Sequence, residues 1–146
     1  MSKLTRSQAT KILLGKVTDQ PILGGIGGPT YDLYGAGDRD RNLYTWGSMG
    51  QISSMGLGLA VARPDLTVIV LDGDGSILMN LGSLATIARK APPNLVHIVW
   101  DDGVYQTTGG QPTHTGTGTD LAGIAKAAGI PKAAAVVDDA GFAAVA

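Results

Sequence analysis

The sequence predicts an α/β domain built on a mainly parallel sheet. Three observations carry that prediction. The apolar runs "TVIVL" at 67–71 and "LVHIVW" at 95–100 are continuous rather than alternating, as expected of strands covered on both faces. Helix-like segments separate such runs by crossover lengths. Glycine is abundant, 22 of 146 residues, and it clusters where strands should end. At this length a single domain, 1–146, is expected.

Taken in order, Ile12, Leu13, Leu14 and Val17 follow a polar start and read as a short first helix. "PILGGIGG" (21–28) reads as a short strand breaking into a glycine loop. Residues 29–50 are expected to be mostly loop, with one helical turn near 31–34, and the "DRDR" run at 38–41 reads as a solvated part of it. Residues 50–63 are small and apolar, a buried helix packed closely through Gly56 and Gly58. "ARPDL" turns the chain into the strand at 67–71. A helix is expected at 80–90, broken by "APPN", and then the strand at 95–100. A polar glycine loop covers 101–120, followed by a helix at 121–128, a strand at 133–137 and a helix start at 138–146. An α/β sheet ordinarily closes with an apolar strand after its last helix. This chain stops inside a helix pattern, so the expectation is a longer natural protein or a sheet without its final strand.

Bulk properties narrow the function. Apolar residues make up 44% of the chain, enough for a core, and only 16% are charged. A net charge of −1 offers no electrostatic case for nucleic acid or an anionic membrane. With no cysteine, disulfides and cysteine-held zinc or iron–sulfur sites are excluded within the chain. The polar N-terminus reads as no signal peptide, and no apolar run approaches a membrane span, so a soluble cytoplasmic protein is expected.

Ligands of open α/β sheets bind outside the carboxyl ends of the strands. Two polar clusters fall there: Gly73, Asp74, Gly75 and Ser76 after the first long strand, and Asp101, Asp102, Gly103, Val104 and Tyr105 after the second. The twenty-five residues 76–100 lie between Gly75 and Asp101, room for one crossover helix and the next strand. If the two strands are neighbours, Asp74 and Asp102 meet at one edge. Paired carboxylates repel unless a cation lies between them, and hard oxygen ligands favour Mg2+ or Ca2+. Gly75 and Ser76 supply backbone N–H groups and a hydroxyl suited to phosphate. An isolated "GDG" is more simply a turn or a helix cap; the second acidic cluster at crossover distance shifts the reading to a metal–phosphate site.

These residues carry a resemblance. "GDGS", a gap of about 25 residues and "DDGVY" resemble the diphosphate-and-metal motif of thiamine diphosphate enzymes. The resemblance implies a three-layer α/β/α thiamine diphosphate-binding fold, with thiamine diphosphate and Mg2+ as cofactors. It makes Asp74 the first metal ligand, Asp102 the second and the carbonyl of Val104 the third. The family usually has two asparagines where Asp101 and Asp102 stand, so Asp102 adds negative charge. "WGSMG" (46–50) is similar to the segment that grips the aminopyrimidine ring in thiamine-dependent decarboxylases. By that likeness Gly47 offers its carbonyl to the ring's amino group, Ser48 lies in the same turn, and Met49 is an apolar wedge rather than plain core.

"YQTTGGQPT" (105–113), with "LDGDGS" and "APPNLVHIV", is similar to phosphonopyruvate decarboxylases and the β subunit of sulfopyruvate decarboxylase. The likeness is strong over 46–130 and weak before. It implies decarboxylation of a 2-oxoacid bearing a second anionic group. Tyr105 is expected at the cofactor, and Gln111 and His114 are catalytic candidates by their place in the polar loop beside the site, with a solvated loop histidine the plainer reading of His114. Such enzymes use a second domain, whose glutamate protonates the aminopyrimidine ring. One 146-residue domain has no room for it, so an α-type partner subunit and a homo- or hetero-oligomer are expected. Three alternatives stay open: a β subunit of a 2-oxoacid:ferredoxin oxidoreductase, a carboligase, and a non-catalytic cofactor-binding fragment. Gly24, Gly25, Gly27, Gly28 and Thr30 form either a diphosphate or substrate loop or a plain glycine-rich turn. His97, in an apolar strand, reads as a core or sheet histidine.

Overall fold

The computed structural model describes residues 4–146. Four parallel strands form the sheet: β1 (Ile22–Gly24), β2 (Asn42–Tyr44), β3 (Val68–Gly73) and β4 (Leu95–Trp100), in the order β2-β1-β3-β4. β3 is central and its residues 68–72 are buried, which is why "VIVL" runs apolar without alternation.

Alternate side chains of these strands feed two layers. Ile22, Ile69 and Leu71 pack with Ala9 and Leu13 of α1 (Arg6–Leu14), Leu33 of α2 (Gly28–Ala36) and Phe142 of α7 (Asp139–Val145). Leu23, Val68 and Val70 pack with Ile52 and Ala60 of α3 (Ile52–Ala62). Further along that second face, Ile77 of α4 (Asp74–Leu78), Leu84 of α5 (Gly82–Lys90) and Ala125 of α6 (Leu121–Ala127) cluster with Val99 of β4. The result is the expected three-layer α/β/α arrangement. Gly56 is where α3 meets the sheet, because a Cβ there would overlap Val70. Gly58, expected to pack in the same way, instead faces open space.

Three expectations are corrected. Residues 28–36, read as a glycine loop followed by mostly loop, form the full helix α2. Pro29 suits its first turn, Thr30 Oγ1 donates to the Gly24 carbonyl (2.9 Å), and Leu33 is fully buried. Residues 42–44, read as loop, form β2, which is short and pairs only with β1. Residues 133–137, read as a strand, pair with none. Three consecutive alanines offer little to hold a pleated segment, and only Ala133 and Val136 are half-buried there. The helix expected at 80–90 is preceded by the five-residue α4, which begins at Asp74. No helix among the described residues is long and apolar enough to cross a membrane.

The topology creates one crevice. From β1 the chain passes through α2 on one face to β2; from β3 it passes through α4 and α5 on the other face to β4. The boundary between β1 and β3 is therefore the switch point at which α/β sheets hold ligands.

Candidate functional site

The crevice is lined by the ends of three strands: Ile26, Gly28 and Pro29 after β1, Gly73 through Ser76 after β3, and Trp100, Asp102, Val104 and Tyr105 at and beyond β4. β3 and β4 are hydrogen-bonded neighbours with Gly73 opposite Trp100, so the two polar clusters leave the sheet side by side.

Asp74 is the best organised of these residues. It is 3% exposed and opens α4. Its Oδ2 accepts from the hydroxyls of Thr113 and Thr115, and Thr115 Oγ1 also lies 2.7 Å from Asp101 Oδ1. No hydrogen bond reaches Asp74 Oδ1 and no ion pair reaches Asp74 among the described residues. A carboxylate this buried, without a cation, is costly to leave unpaired. Gly75 follows because a Cβ there would overlap the Tyr105 ring, which packs on the start of α4.

The second cluster is more open. Asp102 Oδ1 accepts from the Val104 N–H (3.2 Å), while Oδ2 faces Arg6 Nη1 at 3.4 Å. Arg6, from α1, also pairs through Nε with Asp32 and through Nη1 with Gln106 Oε1 (3.3 Å). Beyond Asp102 the chain makes a small antiparallel hairpin, β5 (Val104–Tyr105) with β6 (Gln111–Pro112). Its start roofs the crevice: Gln106 and Thr107 line it, and the Thr107 methyl lies over Gly27.

The "WGSMG" turn is clamped onto α4. Gly50 N–H donates to Ser76 Oγ (2.9 Å) and the Asn80 amide donates to the Gly50 carbonyl (2.9 Å). Gly50 (φ 82°) and Ser48 (φ 60°) both lie in the left-handed region. For Ser48 that is a strained conformation of the kind that clusters at ligand sites. Met49 is half-buried and lines the crevice.

Of the residues singled out from sequence, Met49, Gly73, Asp74, Gly75, Ser76, Asp102, Val104 and Tyr105 come together in the crevice. Gly47 and Ser48 are exposed beside it. Gln111 and His114 do not line it. Both are exposed, and the Gln111 amide bonds back to Thr108, donating to its carbonyl (2.9 Å) and accepting from its hydroxyl (3.1 Å). His97 sits on the sheet with Nε2 3.3 Å from the fully buried Asp72. Sequence reasoning missed Arg6, Thr113 and Thr115. The threonines had a signal, the dense "TTGGQPTHTGTGT" pattern after an acidic pair; Arg6, 96 positions from Asp102, had none.

The donor set suits a hard divalent cation and an anion. Asp74 Oδ1, a carboxylate at Asp102 and nearby carbonyls are all oxygen ligands. Among the described residues no three His, Cys, Asp or Glu side chains converge. The nine-residue α2 opens at the crevice, so its positive end favours negative charge there.

Residues 31–146 match the family model described as thiamine pyrophosphate enzyme, C-terminal TPP binding domain. The sulfopyruvate decarboxylase subunit beta of Methanocaldococcus jannaschii is 53% identical over 109 residues, 75% of this chain and 57% of that protein. That of Methanococcus maripaludis is 46% identical over 128 residues, 88% of this chain and 68% of that protein. The phosphonopyruvate decarboxylase of Streptomyces viridochromogenes is 44% identical over 126 residues, 86% of this chain and 31% of that protein. The chain thus spans from a third to two thirds of the length of these relatives. A 128-residue match in a 146-residue chain necessarily reaches into the segment before Trp46, further than the motifs alone indicated. In fold, the chain superposes with a TM-score of 0.78 on a Mycobacterium smegmatis protein described as thiamin diphosphate-dependent, at 21% identity, covering 97% of this chain and 28% of that one. The chain belongs to the thiamine pyrophosphate enzymes, where it corresponds to their C-terminal TPP binding domain.

Proposed function

We propose that this chain is the diphosphate- and Mg2+-binding part of a cytoplasmic decarboxylase for a 2-oxoacid with a second anionic group, sulfopyruvate or phosphonopyruvate. One observation carries the reading: Asp74, Gly75, Ser76, Asp102 and Val104, from neighbouring strand ends, line a single crevice with Met49. Relatives named for those two substrates support the substrate class.

Thiamine diphosphate, when bound, supplies the electron sink that lets a 2-oxoacid lose CO2. The chain's own residues position and neutralise. Asp74, Asp102 and the Val104 carbonyl would hold Mg2+, and backbone N–H groups of Gly75 and Ser76 would meet the diphosphate. Thr113 and Thr115 fix the Asp74 carboxylate by occupying Oδ2, so that Oδ1 serves the metal. Ser76 does a second task, holding the Gly50 N–H and with it the turn that presents Gly47 and Met49 to the ring. Tyr105, Gln106 and Thr107 line the crevice on its hairpin side. Gln111 and His114, on the outer rim of the hairpin, serve the substrate's second anion. The glutamate that activates the ring comes from an α-type partner, and relatives named as subunit beta support that arrangement.

CO2 release from sulfopyruvate, phosphonopyruvate and pyruvate, measured with and without a candidate α-type chain, tests the reading. Activity is expected only with both chains, thiamine diphosphate and Mg2+, and with preference for a substrate carrying the second anion. Full activity from this chain as a monomer, or none from any reconstituted pair that binds the cofactor, would contradict it.

A further inference from the structure

We propose that Arg6 is the built-in counter-charge of Asp102, a positioning residue that offsets part of the negative charge this acidic side chain brings to the crevice. The inference rests on the cofactor reading above. A second carboxylate beside Asp74 adds negative charge to a crevice that must also take a diphosphate. Arg6 Nη1 lies 3.4 Å from Asp102 Oδ2, and no other cationic side chain among the described residues lines the crevice. Arg6 shares its one positive charge between Asp102 and Asp32, so the three groups together carry −1 rather than the −2 of the two carboxylates alone. Part of the charge that Asp102 adds is therefore offset near the diphosphate, and further lone pairs on the Asp102 carboxylate remain for the metal.

Arg6 is held there by construction rather than by chance contact. Its Nε pairs with Asp32 of α2, and Nη1 also reaches Gln106 Oε1 at 3.3 Å. The guanidinium lies over the backbone of Gly28, where any Cβ would overlap it, so the glycine that opens α2 makes the seat. Side chains at Arg6 and Asp102 are 25% and 33% exposed, and partly buried charges are screened less than fully exposed ones. A merely structural role, tying α1 to α2, needs Asp32 alone and makes no reference to Asp102.

A double-mutant cycle separates the two roles. The Kd for thiamine diphosphate at saturating Mg2+ is measured by calorimetry on the full-length protein in the assembly in which it purifies. The four forms are wild type, Arg6→Ala, Asp102→Asn and the double variant. With Asp102 present, Arg6→Ala raises Kd on the order of tenfold; with Asn at 102 the same change costs less than about threefold. Should Arg6→Ala fail to fold, Arg6→Gln, which removes the charge and keeps the length, runs the same cycle. Equal losses in both backgrounds, or tighter binding on removing Arg6, overturn the inference while leaving the cofactor reading intact. Absence of Mg2+-dependent binding in the wild type removes that reading, and this inference with it.

Discussion

The end of β3 and the far side of the β5–β6 hairpin come from one set of motifs, yet their surroundings are opposite. At Asp74 the chain leaves a covered strand, and most of the polar groups there find partners within the protein: two threonines on one Asp74 oxygen, Ser76 on Gly50, Asn80 on the turn beyond. At Gln111 and His114 the side chains are exposed, and one simply closes on its own hairpin. Burial therefore builds the proposed cofactor end into the fold, whereas the exposed rim is tied to it only through the hairpin.

The largest effect that probes this contrast is expected from Asp74→Ala. Without its first ligand the site should lose Mg2+-dependent thiamine diphosphate binding by roughly a hundredfold or more. Asp102→Asn should keep the Mg2+ dependence, since an amide oxygen still coordinates. Calorimetry on the two variants reads both, and undiminished affinity in Asp74→Ala would sink the assignment.

Next in size is Gly75→Ala, whose methyl would overlap the Tyr105 ring and push the hairpin off the crevice. Overpacking of this kind costs about 1–3 kcal/mol, and here it should fall on cofactor affinity as well as on Tm. In the fold proper, Gly56→Ala should cost about 1–3 kcal/mol by meeting Val70, whereas Gly58→Ala, facing open space on the same helix, should stabilise by about 0.5–1 kcal/mol. Thermal denaturation of the pair decides whether α3 is seated through Gly56 alone; equal losses would mean both faces are packed.

The smallest effects on cofactor binding belong to the rim. Gln111→Ala and His114→Ala should change thiamine diphosphate affinity by less than about twofold, since neither lines the crevice. In the reconstituted enzyme each should slow sulfopyruvate or phosphonopyruvate more than pyruvate, by roughly ten- to hundredfold in kcat/KM, as expected for losing a hydrogen bond to an anion. Equal losses on all three substrates would assign the anion-binding groups to the partner chain.

The same contrast explains what could be read beforehand. The buried strands "VIVL" and "LVHIVW" announce themselves by composition, and the glycines and acids after them follow from where such strands must end. The helix α2 was hidden because its sequence, "GPTYDLYGA", has glycines and a proline that read locally as loop; only packing of Leu33 and the Thr30 bond to Gly24 makes it a helix. β2 is three residues long and owes its extension to β1. The alanines at 133–137 carry strand-like hydropathy without the bulk that holds a strand. Thr113, Thr115 and Arg6 reach the site through long-range hydrogen bonds, and no periodicity encodes those.

Asp74 and Asp102 are proposed to hold a divalent cation against a diphosphate. The measurement that tests this most directly is calorimetric titration of the wild-type assembly with thiamine diphosphate, once with Mg2+ and once with EDTA. One cofactor per chain, bound with Mg2+ and released by chelation, is the predicted result. Equal binding in the two titrations, or none in either, would contradict it.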